Sequence, residues 1–232
     1  MFNQTTHHPY IDTATNCADF LLGLKEIALW SQNNPNHMPI TILFEIKEWI
    51  VPIWGKSPSL NDFIALDESI KNIFGDSLFT PYDMLGDSKD FDEMRNNDSW
   101  PTLDKLLGKV MIILHPSSKY NKIYSGQSIN ESAIFLAVDK NVDFEEYKFN
   151  TCFAVANYVT AVQYNEYYEH NYFIRSRCDN FPYHSYDSLE STINSNCNIM
   201  STDFPITNPS TSDDYVVKGF VENYTITLKN NS

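Results

Sequence analysis

The feature that most limits the fold of this chain is a series of continuous apolar, β-type runs separated by amphipathic helical stretches. The runs are "ITILFEI" (40–46), "KVMIILH" (109–115), "AIFLAV" (133–138), "YFIRSR" (172–177) and "NIMSTD" (198–203). A strand that is apolar at consecutive rather than alternate positions is buried on both faces, as in a parallel sheet covered by helices. In "NCADFLLGLKEIALWSQNN" (16–34), Phe20, Leu21, Leu24, Ile27 and Ala28 share one helical face. "NDFIALDESIKNIF" (61–74) brings Phe63, Leu66, Ile70 and Phe74 into register. "TPYD" (80–83) reads as a helix start, with Thr80 as N-cap, Pro81 at the first position and Asp83 reaching back to the cap. Gly108 reads as the C-cap after "TLDKLLG". "EEYKFNTCFAVANYV" and "SYDSLESTINSN" read as helical or loop material between strands, and no internal repeat is visible. The pattern predicts an α/β fold of six or seven strands, counting one that ends near His7, with residues 207–232 as a polar tail able to add an edge hairpin.

The net charge of −14 argues against a nucleic-acid partner, which would need clustered Lys and Arg to neutralise phosphates. No apolar run reaches bilayer length, and the chain as given opens without a secretory n-region or h-region. Sequons begin at Asn3, Asn97, Asn130, Asn223 and Asn230, which fits an exterior setting but carries little weight in so Asn-rich a chain. Cys17, Cys152, Cys178 and Cys197 show no metal spacing; two disulfides and buried thiols are both open.

In parallel α/β folds, functional residues gather at the carboxyl ends of strands. That rule selects His7 and His8, Glu45 and Lys47, His115, Arg175 and Arg177 with Asp179, and Asp203. Each has a plainer reading. Glu45 beside Lys47 can be a solvated pair, "HHP" a turn, and Arg177 with Asp179 an ion pair along one strand. Taken together, though, carboxylates suit Ca²⁺ and paired arginines suit a phosphodiester.

The ordered motifs "HxPxxD", "WS…NPNHMPITILFEIK", "LDESIKNIFGDSLFTPYDMLG", "WPTLDKLLGKVMIIL", "FIRSRCD" and "NIMSTDFP" resemble the calcium-dependent phosphoinositide-specific phospholipase C family, over residues 7 to about 205. The resemblance implies a (β/α)8 barrel of the PLC-like phosphodiesterase kind over residues 1–206. It also implies that the chain starts near the third strand, lacking about the first two. A first catalytic histidine and most calcium ligands would lie in those two strands.

Further expectations follow from the family chemistry. The inositol 2-hydroxyl attacks the adjacent phosphorus and expels diacylglycerol. By resemblance His7 is the general acid, Glu45 a Ca²⁺ ligand or base, and Lys47, Arg175, Arg177 and Asp203 bind substrate. His115 stands where family members tend to carry an acidic residue. The implied substrate is phosphatidylinositol or a soluble glycerophosphodiester, met at a membrane surface through exposed aromatics of "YNEYYEHNYF" (164–173), outside the cell. A strand edge left bare near His7 would favour self-association. Two other readings stay open: an inactive relative that binds phosphoinositide headgroups or a protein partner, and a structural α/β protein whose strand-end charges are only ion pairs.

Overall fold

The computed structural model describes residues 19–46, 57–157, 161–180, 183–204, 215 and 217. In chain order these form α1 (Phe20–Asn33), β1 (Ile40–Phe44), α2 (Leu60–Phe74), α3 (Pro81–Leu85), α4 (Phe91–Asn96), α5 (Leu103–Leu106) and β2 (Val110–Leu114). There follow α6 (Ser118–Tyr124), β3 (Ile134–Phe135), β4 (Ala137–Val138), α7 (Phe144–Tyr147), β5 (Phe153–Val155), α8 (Ala161–Glu169), β6 (Phe173–Arg177), α9 (Tyr186–Ile193) and β7 (Ile199–Ser201).

Local chemistry places the helices. Asp19 caps α1 through the Leu22 N–H at 2.8 Å. Ser59 with Asp62, and Thr80 with Asp83, form reciprocal capping boxes at α2 and α3, the second with Pro81 in the first turn. Gly108 adopts φ +72°, and a Cβ there would stand 2.2 Å from the Pro35 carbonyl oxygen. Only glycine fits that left-handed approach between α5 and β2.

Every strand pairing is parallel, in the order β1-β2-β3 and β4-β5-β6-β7. Only Leu136 separates β3 from β4, and its carbonyl accepts the Thr151 hydroxyl at 2.5 Å. Side-chain alternation continues through the break. Ile134, Leu136 and Val138 join one core cluster, while Phe135 and Ala137 join another. The two sheets therefore carry one alternating surface, with sequential strands as neighbours.

The first cluster is the helix-facing side, where Leu24 and Ala28 of α1 and Phe63, Leu66, Ile70 and Phe74 of α2 meet Ile112, Leu114, Ile134 and Ile174. These are the helix faces read from the sequence. Burying each large side chain contributes about 1.5–3 kcal/mol. The second cluster, here called the inner side, holds Leu43, Met111, Ile113, Phe135, Phe153, Val155 and Phe173. Met84 and Leu85 of α3 with Phe91 and Met94 of α4 close its amino-terminal end. Arg95, 2% exposed, fastens this closure. It donates to the His170 carbonyl at 2.7 Å and the Lys148 carbonyl at 3.0 Å, and lies over the Tyr172 ring.

Two expectations need correction. "EEYKFNTCFAVANYV" contains a strand, β5, whose three residues are all buried. A run this short and uniformly apolar has no period to separate strand from helix or loop. The aromatics of 164–173 are not an exposed patch: Tyr167 and Tyr172 are buried and Tyr164 and Phe173 pack against the core clusters. The turn between α8 and β6 folds them inward, leaving Tyr168 as the exposed one. Tyr215 and Val217, from the C-terminal stretch, are buried with Cys178 and Phe204. No described helix is long and apolar enough to cross a membrane. Cys152, Cys178 and Cys197 are free thiols.

Candidate active site at the carboxyl ends of the strands

Parallel strands send their carboxyl ends to one side, and the inner-face alternation selects which residues emerge there. Glu45 follows Leu43 in parity just beyond β1 and is exposed. His115 follows Ile113 beyond β2; its N–H donates to the Phe44 carbonyl at 2.7 Å, tying these two strand ends together. Asn157 follows Val155 beyond β5, Arg175 and Arg177 follow Phe173 on β6, and Asp203 follows Ser201 beyond β7. Of the predicted site residues, Glu45, Arg175, Arg177 and Asp203 thus lie at one end of the sheets. His7 and Lys47, and with them the expected approach of Glu45 to His7 and the bare strand edge, lie outside the described residues.

The arginines are held individually. Arg175 Nη1 donates to Asn157 Oδ1 at 2.9 Å. Arg177 Nη2 donates to Asp203 Oδ2 at 2.7 Å, with side chains 23% and 38% exposed, so the pair remains open to solvent on one side. Arg177 Nε is buried without a hydrogen-bond partner among the described residues. The chain contains three arginines; Arg95 fastens the opposite end, so both others stand on the rim of β6.

The plainer alternative, an ion pair of Arg177 with Asp179, does not form. Asp179 is 6% exposed and turns instead toward the β7 end. Its Oδ1 accepts the Asp203 N–H at 2.6 Å, and its Oδ2 accepts the Thr202 hydroxyl. Oδ2 also lies 3.3 Å from the Cys178 thiol and 3.4 Å from the Tyr215 hydroxyl. Same-face spacing along one strand made the Arg177–Asp179 pair stereochemically easy, but the neighbouring strand end offers Asp179 several donors at once. Burial pushes the Cys178 thiol up to about 11, with the Asp179 carboxylate adding to the rise. Asn157 is the rim residue that sequence reasoning missed. Once "FAV" is known to be a strand, alternation points to it directly.

A cavity of about 690 Å³ opens beside Arg177, between α8 and α9. Ala156 and Ser176 in its wall belong to the helix-facing parity while Arg177 and Asp179 share the parity of Phe173, so the cavity meets the rim at the end of β6, away from Glu45, His115 and Arg175. The candidate site is the rim, which this cavity adjoins at Arg177.

Calcium takes six to eight oxygen ligands. Among the described residues no group of three or more His, Cys, Asp or Glu side chains could hold a metal. Asp179 is spoken for, Asp203 is paired with Arg177, and Glu45 is the one expected ligand described. These residues do not compose a calcium site.

The family described as "Phosphoinositide phospholipase C, Ca2+-dependent" matches residues 4–228. A search of curated proteins gives no significant match. Among solved structures, the calcium-dependent phosphoinositol-specific phospholipase C of a Pseudomonas species, recorded as a myoinositol complex, is similar at TM-score 0.61 and 19% identity. That match covers 79% of this chain and 66% of the Pseudomonas chain. A second crystal form of that enzyme gives TM-score 0.64 and 19% identity, covering 84% and 71% of the two chains. The Ca²⁺-dependent phosphatidylinositol-specific phospholipase C of Streptomyces antibioticus gives 0.61 and 18%, covering 82% and 72%. The fold is shared with these enzymes, and with the family match spanning residues 4–228, the chain belongs to the calcium-dependent phosphoinositide phospholipase C family.

Proposed function

We propose that this chain is a phosphodiesterase of the phospholipase C type acting on phosphatidylinositol or a related glycerophosphodiester. The observation that carries the reading is the pair Arg175 and Arg177, on the inner face at the carboxyl end of β6. Asn157 and Asp203 brace them from the two neighbouring strands. A braced guanidinium presents its remaining N–H groups as a fork that matches the oxygens of a phosphodiester, which an ammonium cannot copy. In this reading Arg177 and Arg175 hold the phosphate while the inositol 2-hydroxyl gives its proton to a base, by resemblance Glu45, and attacks phosphorus as the glycerol oxygen leaves. His7, by family resemblance, hands its proton to the leaving oxygen, and general acid help of this kind gives on the order of 10²–10⁴-fold. The family's calcium would neutralise charge on the phosphoryl oxygens, with Glu45 the one described side chain that the resemblance assigns to it.

The charge of −14 repels an anionic bilayer, and screening within about 8–10 Å softens the repulsion at physiological salt. A soluble glycerophosphoinositol is the substrate least hindered by it. Peripheral membrane contact, self-association and an extracellular setting belong to this same reading.

Turnover of phosphatidylinositol and of glycerophosphoinositol is the test, for the chain as given and for its Arg177→Lys variant. The variant is expected to lose turnover strongly with its melting temperature nearly unchanged, because a half-exposed ion pair contributes only about 0–1 kcal/mol. Unaltered turnover removes Arg177 from the site. Headgroup binding without turnover in the unaltered chain would make it a binding homologue instead.

A further inference from the structure

We propose that Asp179 is a positioning residue for Arg177, acting through Asp203; the inference rests on the phosphate-holding role just assigned to Arg177. "RSRCD" and "STDFP" lie more than twenty residues apart, yet Asp179 interlocks them. The Asp203 N–H and Thr202 hydroxyl both end on its carboxylate, fixing the chain that follows β7. Thr202 Oγ1 in turn accepts the Phe204 N–H at 2.9 Å, and the Ser201 carbonyl accepts the Cys178 N–H at 3.0 Å. This leaves Asp203 on a backbone clamped on both sides of its Cα, with its own carboxylate turned to Arg177 Nη2.

The division of labour follows from burial. Asp203 is 38% exposed in its side chain and stands on the rim, where solvent and a long arginine would let the pair wander. Asp179 is 6% exposed and accepts the backbone N–H of Asp203 itself. A buried carboxylate that accepts several hydrogen bonds has strong orientational preference, because each donor it lost would be left unpaired. The Tyr215 hydroxyl, on a fully buried ring, brings the C-terminal stretch into the same cluster. Asp179 therefore sets where Asp203 points, and Asp203 sets which edge of Arg177 is spent and which faces the phosphate.

The chain's three arginines make the test direct, because an arginine Nε–H spectrum holds three side-chain signals, assignable by single Arg→Lys changes. In Asp179→Asn, the Arg177 signal is expected to move or broaden as it does in Asp203→Asn, while the Arg95 signal stays. Thr202→Val, which removes one donor to Asp179 and the acceptor of the Phe204 N–H at nearly constant side-chain shape, should produce a smaller change in the same direction. An Arg177 signal that stays in place in both Asp179→Asn and Thr202→Val, while Asp203→Asn moves it, overturns the proposal. A double-mutant cycle on kcat/KM supplies the second readout. Asp179→Asn should lower it by on the order of 10²-fold alone, and hardly at all once Arg177 is lysine. Equal losses in both backgrounds would mark Asp179 as structural only. Lack of turnover in the unaltered chain counts against the proposed function, whereas the Nε–H comparison decides the role of Asp179 by itself.

Discussion

Stability of this protein should fall as pH rises through the range where Asp67 ionises. Asp67 lies on α2, 1% exposed, and its Oδ2 accepts the Tyr124 hydroxyl at 2.7 Å and Gln127 Nε2 at 2.7 Å. The Tyr124 oxygen in turn accepts the Ile134 N–H at 3.0 Å, so the network joins α2, α6 and the start of β3. Burial raises the Asp67 carboxyl from 3.8 to about 6, against the opposing pull of its hydrogen bonds and of Lys71. The folded chain therefore holds this proton between pH 3.8 and about 6 where the unfolded chain has released it. Its contribution is fully present below the unfolded value and is lost as pH rises through the folded one. Two units at 1.36 kcal/mol each make the change about 3 kcal/mol, or roughly 6–12 °C in Tm for a chain of this size. Urea unfolding at pH 4, 5, 6 and 7, compared between the unaltered chain and Asp67→Asn, isolates the effect. Any fixed cost of the amide is independent of pH and drops out of the slope, as do the other carboxylates common to both proteins. From pH 4, where the unfolded carboxyl is already partly ionised, to pH 7, the difference in unfolding free energy should shift by about 2.4 kcal/mol in favour of the asparagine variant. A difference constant within about 0.5 kcal/mol would refute burial of an ionisable Asp67.

Gly108→Ala should destabilise by about 2 kcal/mol or more in urea titration, since a side chain there meets both the φ penalty and the Pro35 carbonyl. Arg95→Met should cost about 3–5 kcal/mol, because it strands the His170 and Lys148 carbonyls at the amino-terminal closure. Loss within 1 kcal/mol, roughly what a surface change gives, would argue against the buried bracing. Cys178, with its thiol raised to about 11, should resist iodoacetamide at pH 8 in the folded protein and react only on unfolding, as peptide mapping would show.

How much of this was legible in the residues differs from element to element. The helix faces at Phe20–Ala28 and Phe63–Phe74 and the Thr80–Asp83 box were readable because their physics is local: a 3.6-residue period and a side chain reaching three positions along the chain. The long apolar strands and their parallel packing were readable for the same reason, and so was the set of strand-end residues, which alternation alone assigns to a side. The sequence by itself thus determined an α/β fold and assigned the candidates Glu45, Arg175, Arg177 and Asp203 to one end of it. Only tertiary structure could show that "FAV" is a strand, since three buried residues have no period. It also turned Tyr167 and Tyr172 into core, because a turn further along the chain decides which way α8 faces. Above all it chose the partners. Arg177 had an aspartate two residues away, yet bonds one 26 positions on, because β6 and β7 end side by side. The nearer aspartate is satisfied by donors from that same neighbouring strand end. Pairings between strand ends depend on which strands become neighbours, and no local pattern along the chain encodes that.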